Sequence, residues 1–156
     1  MPNQTSKNPI GIGKRAAAVA AGMAFSALVF TQPAKAQQGT DLDNAFAKEV
    51  ISGQISAFKA KDHDGAFSFA APTLRKMFRS TERFIGMVKG GYAPIYGAQR
   101  WTFGRYRERD GALYQEVMLV GPLGRDWVAL YTLRKQADGT WKIAGVQMKP
   151  AESRST

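Results

Sequence analysis

GGYAPIYG, residues 90–97, divides the sequence into two stretches of different character. Before it, apolar residues recur every three or four positions. After it, runs rich in aromatic and β-branched residues alternate with glycine-containing turns. A periodicity that switches in this way predicts helices followed by a sheet. The stretch reads as the corner between them. Gly90 or Gly91 suits the left-handed residue that ends many helices. Pro94 disfavours helical geometry at Ala93 and directs the chain into the first strand. Tyr92 and Tyr96 are placed to plug the opening between helices and sheet, and a corner there also lies at the rim of any pocket.

Upstream of the corner, Leu42, Phe46, Val50, Ile51, Ile55 and Phe58 form one stripe, which predicts a helix from about Asp41 to Lys61. Thr40 and Asp43 have the spacing of a capping box. Asp62-His63-Asp64-Gly65 is expected to end that helix as a solvated turn. A second short helix carries Ala66, Phe67, Phe69 and Ala70 and stops before Pro72. Leu74, Met77 and Phe78 indicate another helical turn. Ser80 or Thr81 can cap a helix whose buried stripe is Phe84, Ile85, Met87 and Val88.

Downstream, 99–107, 113–120, 127–134 and 140–148 read as strands. Asp110-Gly111 and Asp138-Gly139 are strong hairpin signals, and Gly121-Pro122-Leu123-Gly124 supplies the middle turn. The expected fold class is therefore α+β: N-terminal helices packed on one face of a curved antiparallel four-stranded meander. Both faces of 113–120 and 127–134 are partly apolar, where one solvated face would alternate more cleanly. Two covers for the second face remain open, a homodimer or a sheet curved around a cavity.

The first segment has a secretion pattern. Lys7, Lys14 and Arg15 precede an uncharged apolar run from Ala16 to Phe30, and Ala34-Lys35-Ala36 ends in small residues at the positions a signal peptidase reads. The apolar run is shorter than the roughly 20 residues of a spanning helix. Residues 1–36 are thus expected to be a cleaved signal peptide. Residues 37–150 then form one domain, 151–156 a polar tail, and the protein is exported, to the periplasm, with no membrane anchor after cleavage. Cleavage removes four of 22 basic residues and no acid, leaving 18 bases against 12 acids, a net charge of +6 instead of +10. That balance favours anionic partners without demanding nucleic acid. Cysteine is absent, which excludes disulfides, thiolate nucleophiles and cysteine metal sites.

Few residues announce chemistry. His63 is the single histidine, and two flanking aspartates do not make a metal site without further converging ligands. Gly11-Ile12-Gly13-Lys14 lacks both the first glycine and the hydroxyl residue of a phosphate loop. Arg100 to Arg109 interleaves bases and aromatics. Strand alternation puts Trp101, Phe103, Arg105 and Arg107 on one face and Arg100, Thr102, Gly104 and Tyr106 on the other, so the aromatics read as core and nucleic acid is not expected. Glu116, mid-strand beside Val117 and Met118, is the one carboxylate placed for general-base work.

Several segments together resemble a known family. They are Gln54-Ile55-Ser56-Ala57-Phe58, Asp64-Gly65-Ala66-Phe67-Ser68-Phe69-Ala70, Arg83-Phe84-Ile85-Gly86-Met87-Val88, Gly91-Tyr92-Ala93-Pro94-Ile95-Tyr96, Leu119-Val120-Gly121-Pro122 and Trp141-Lys142-Ile143-Ala144-Gly145. The combination is similar to a family of short exported bacterial proteins defined only as a domain of unknown function, DUF4864. The order of elements resembles the cone of nuclear transport factor 2 and ketosteroid isomerase, the cystatin-like architecture. That resemblance implies either a non-catalytic domain binding a small apolar or amphipathic ligand or a protein partner, an isomerase- or hydratase-type enzyme using Glu116 with a tyrosine donor, or a structural dimerisation module of an envelope complex. It carries no cofactor or metal. Tyr92, Tyr96, Trp101, Trp127 and Tyr131 are the residues expected near a pocket, though core packing accounts for each singly.

Overall fold

The computed structural model describes residues 33–152; the proposed leader through residue 32 and the end of the tail lie outside them. Five helices precede four strands: α1 (Pro33–Ala60), α2 (His63–Ser68), α3 (Pro72–Phe78), α4 (Thr81–Gly91), α5 (Ala93–Tyr96), β1 (Arg100–Arg109), β2 (Ala112–Val120), β3 (Asp126–Lys135) and β4 (Trp141–Pro150). The strands pair antiparallel in the order β1-β2-β3-β4, a meander. The α+β class and the position of the switch agree with the reading of the sequence.

The helix ends differ from that reading, for local reasons. Helix α1 begins at Pro33, because proline is tolerated in a first turn and Ala34-Lys35-Ala36-Gln37-Gln38 are good helix formers. Thr40 and Asp43 are therefore interior, and the Asp43 carboxylate instead takes hydrogen bonds from Lys135 Nζ at 2.9 Å and Trp141 Nε1 at 3.0 Å. The helix closes with left-handed Lys61 (φ 62°), whose N–H reaches Phe58 O while that of Asp62 reaches Ala57 O. This paired closure is a Schellman motif. Asp62 then caps α2 by accepting from the Gly65 N–H at 2.9 Å, so Asp62-His63-Asp64-Gly65 starts a helix instead of forming a solvated turn.

The corner also differs in detail. Helix α4 runs through both Gly90 and Gly91, neither of which has positive φ, and Tyr92 is its C-cap at φ −131°. Ala93–Tyr96 is one further helical turn with Pro94 in its first two positions, where a missing N–H costs nothing. The expected extended Ala93 is replaced by that turn.

Asp110 and Gly111 both have positive φ (54° and 68°), as a two-residue primed turn requires. The inner face of the sheet carries Leu113, Val117 and Leu119 from β2, Ala129, Tyr131 and Leu133 from β3, and Trp141 and Ile143 from β4, all buried. Ile51, Ile55 and Phe58 of α1, Phe67 of α2, and Phe84, Ile85 and Val88 of α4 complete the core with them. A bulge in β1 between Phe103 and Tyr106 opposes Phe103 to Val117 and Tyr106 to Gln115. Both pairs lie on the inner face, so Tyr106 joins Trp101 and Phe103 there, and its hydroxyl donates to Asp41 of α1 at 2.8 Å. The sequence reading had Tyr106 on the opposite face; an inserted residue inverts alternation beyond it.

Candidate functional site

Between α3, α4 and the inner face of β3 and β4 lies a cavity of about 210 Å³. Its helical side comes from Leu74, Met77 and Phe78 of α3 and from Phe84, Met87 and Val88 of α4. Gln54 and Phe58 of α1, Ala70, Tyr92, Ile95, Tyr131, Ile143, Gly145 and Val146 complete it. Helix α3 has no buried residue, and Met77 is 62% exposed, which marks α3 as the mouth. Not one lining residue is ionisable at neutral pH, so the cavity excludes an unpaired charge on desolvation grounds.

Two polar side chains interrupt this apolar wall. Tyr131 has no solvent exposure, and its hydroxyl has no hydrogen-bond partner among the described residues. Burial pushes the phenol above its ordinary range, which keeps it a neutral donor. Gln54 is also buried; its Nε2 donates to Ala66 O at 3.2 Å. Tyr92 stands at the rim, and its hydroxyl donates to Val146 O at 3.0 Å, tying the end of α4 to β4.

A second, wider cleft of about 660 Å³ lies across Phe58, lined also by Lys59, Lys61, Tyr96, Gln99 and Pro122. Here His63 Nε2 and the Tyr96 hydroxyl are 3.0 Å apart. Lys61 and Lys89 place their ammonium groups 5.0 and 5.2 Å from the centre of the Tyr96 ring, within cation–π range. His63 is thus half-buried and partnered, contrary to its reading as a solvated turn residue.

Of the five residues expected near a pocket, Tyr92 and Tyr131 line the apolar cavity and Tyr96 lines the second cleft. Trp101 and Trp127 line neither. Trp101 Nε1 donates to Ser52 at 3.3 Å and joins β1 to α1, while Trp127 is a half-buried neighbour of Gly121. Glu116 pairs with Leu130 on the sheet's outer face, away from the cavity, and meets Arg105 at 3.6 Å. Gln54 was not anticipated, although a signal exists: it occupies a place in the buried stripe of Ile51, Ile55 and Phe58 that periodicity reserves for an apolar side chain.

The family model for a domain of unknown function, DUF4864, matches residues 40–156. The chain belongs to DUF4864. No curated protein and no solved structure matches it. The match takes in every residue of the DUF4864 cavity, from Gln54 to Val146. Among the described residues of this DUF4864 domain, no group of three His, Cys, Asp or Glu side chains converges, and no helix is long and apolar enough to cross a membrane.

Proposed function

We propose that this protein is an exported binding domain with a nuclear-transport-factor-2-like cone, which holds a small apolar or amphipathic molecule without chemically altering it. One observation carries the reading: a 210 Å³ cavity walled by apolar side chains and opening beside α3. Engineered apolar cavities of about 150 Å³ bind benzene, so this one has room for a somewhat larger molecule. The enzymatic alternative has less support: Glu116 pairs with Leu130 on the outer face, and no carboxylate is among the residues that line the cavity. Export rests on the leader pattern of residues 1–36 and favours the periplasm.

Native mass spectrometry of the protein recovered from its own export compartment tests both parts. The expected species begins at Gln37 and carries a discrete extra mass lost on denaturation. A ligand-free species, or one retaining residues 1–36, removes the corresponding half of the proposal.

A second reading concerns assembly. On the outer sheet face Met118 is 44% and Leu130 38% exposed, with Val128 opposite Met118. This supports a homodimer through that face, where Arg105 and Glu116 offer a two-fold copy both signs of charge. Sedimentation of the Met118→Lys, Leu130→Lys double variant is expected to give a monomer and the parent protein a dimer. A monomeric parent ends this reading.

A further inference from the structure

The second cleft carries positive charge that no described carboxylate pairs with. It is bounded by Phe58, Lys59 and Lys61 at the end of α1, by Tyr96 of α5 and by Pro122 of the β2–β3 turn, and no acidic residue lines it. The ammonium groups of Lys61 and Lys89 lie 5.0 and 5.2 Å from the centre of the Tyr96 ring, and that of Lys59 lies 5.6 Å from the centre of the Trp101 ring. An aromatic face attracts a cation through its quadrupole, so it holds an ammonium in place without cancelling its charge. The ion pairs of the described residues join Arg105 to Glu116, Arg109 to Asp110, Lys135 to Asp43 and Lys149 to Glu152, and none takes up these three lysines. Asp62 and Asp64, beside Lys61 in sequence, hydrogen-bond to the Gly65 N–H and the Thr81 hydroxyl instead.

Lys61 is the telling residue. Lys59 and Lys89 stand in the last turns of α1 and α4, where the carbonyl end of a helix favours a cation whatever lies nearby. Lys61 stands beyond α1, at the left-handed position of the Schellman closure (φ 62°), where glycine is free of strain and lysine is not. Its ammonium nevertheless returns over a ring that walls the cleft. A backbone outlier that delivers a charged group to a cleft points to a use for that group.

The walls define the partner. About 660 Å³ lies within the range of roughly 300–1,000 Å³ usual for small-molecule sites. An exposed lysine contributes little alone, because solvent screens it, so an anion bound here must also bring apolar surface to the protein. We propose that this cleft binds a small organic oxyanion, a phosphate or carboxylate head on a flat apolar body, with the head at Lys61 and Lys59 and the body against Tyr96 and Pro122. The apolar cavity has no ionisable residue in its wall and shares only Phe58 with the cleft, and this proposal does not rest on it.

Calorimetry with 2-naphthyl phosphate, 2-naphthoate and inorganic phosphate tests it. Both naphthyl anions are expected to bind the parent protein, more tightly at low than at physiological salt. Inorganic phosphate, with no apolar body to bury, should be weaker by about tenfold or more. Lys61→Gly suits the left-handed backbone and should melt no lower than the parent, yet bind the naphthyl anions about fivefold more weakly, the worth of one exposed ion pair. Lys61→Arg should keep the affinity. Saturating naphthalene, which suits the apolar cavity, should displace neither anion.

Parent-like affinity in Lys61→Gly would overturn the proposal. So would displacement by naphthalene, which would move the anion into the cavity, and equal binding of inorganic phosphate, which would leave a charged surface with no place for a body. Binding to phosphatidylglycerol vesicles, with none to the soluble anions, would replace the small molecule by a membrane surface and overturn it as well.

Discussion

The side-chain amide of Asn44 donates to Gln115 Oε1 at 2.7 Å, joining helix α1 to strand β2 across 71 residues of chain. Gln115 is fully buried, and its Nε2 lies 2.8 Å from Glu116 O, 3.1 Å from Gly104 O and 3.4 Å from Arg105 O. An amide has two protons, so the two shorter contacts are the ones it fills. One side chain therefore fixes both the helix and the bulge of β1.

Replacing Gln115 by leucine keeps the volume and strands Asn44 together with a bulge carbonyl. The expected loss is about 2–4 kcal/mol of unfolding free energy by chemical denaturation, since each buried group left unpaired costs about 1–3 kcal/mol. Asn44→Leu combined with Gln115→Leu should lose less than the two single changes added together. Strict additivity would mean that the contact is incidental.

Tyr131→Phe should do the opposite. Removing a buried hydroxyl that has no partner is expected to raise the stability of the ligand-free protein by about 1 kcal/mol. The titration gives a second test. Burial holds the folded phenol above its ordinary value of 10.0, so above that pH the unfolded chain ionises while the folded one does not. Stability should therefore decline as pH rises past 10, and less steeply in the variant. A variant less stable than the parent at neutral pH would show that the hydroxyl has a partner after all.

Asp43 gives the acid limb. Burial pushes its carboxyl up, but hydrogen bonds from Lys135 and Trp141 and the Lys135 charge outweigh it and leave the value below 3.8. A depressed folded value stabilises the protein above the unfolded one and is lost as pH falls through it. Stability should thus hold at neutral pH and drop below about pH 4, and Asp43→Asn should flatten that drop. Equal acid sensitivity in the two proteins would assign it to other carboxylates.

Gly53 sits inside α1, where alanine ordinarily gains about 1 kcal/mol. A Cβ there would come within 2.5 Å of the Phe69 ring. The backbone at Phe69 is held by Ile143, whose N–H donates to its carbonyl at 2.9 Å, so the ring has to rotate against its neighbours. Overpacking of this kind costs about 1–3 kcal/mol. Gly53→Ala is expected to lower the melting temperature by a few degrees, and a rise would show that the ring yields freely.

Much of this fold was legible in the sequence because the apolar spacing of 42–58 and 84–88 and the Asp-Gly pairs act locally. The helix starts were less legible. Proline can open a helix as readily as end one, and only tertiary partners decided that Asp43 would bind Lys135 and Trp141. Alternation placed Trp101 and Phe103 correctly and failed at Tyr106, because strict alternation carries no allowance for a bulge, although Gly104, an isolated glycine inside the strand, is the kind of residue that marks one. For the cavity, aromaticity pointed to Tyr92 and Tyr131 but not away from Trp101 and Trp127. Aromatic side chains fill cores and line cavities for the same physical reason. The more telling residues, Asn44, Gln54 and Gln115, are polar side chains in apolar stripes, and they mark where packing alone was not the requirement.

The bulge in β1 has one more consequence. A meander has two outer strands, and unpaired strand borders are templates for fibril growth. At and beyond the bulge, β1 presents Arg105, Arg107 and Arg109, all exposed, on a backbone bent out of regular register. On the far side, residues 69–71 pair with Ile143, and exposed Lys149 and then Pro150 close the strand. One border repels and twists away, and the other is partly occupied, so the molecule is protected against growing its sheet from chain to chain. What it meets, it meets through its surfaces and its interior.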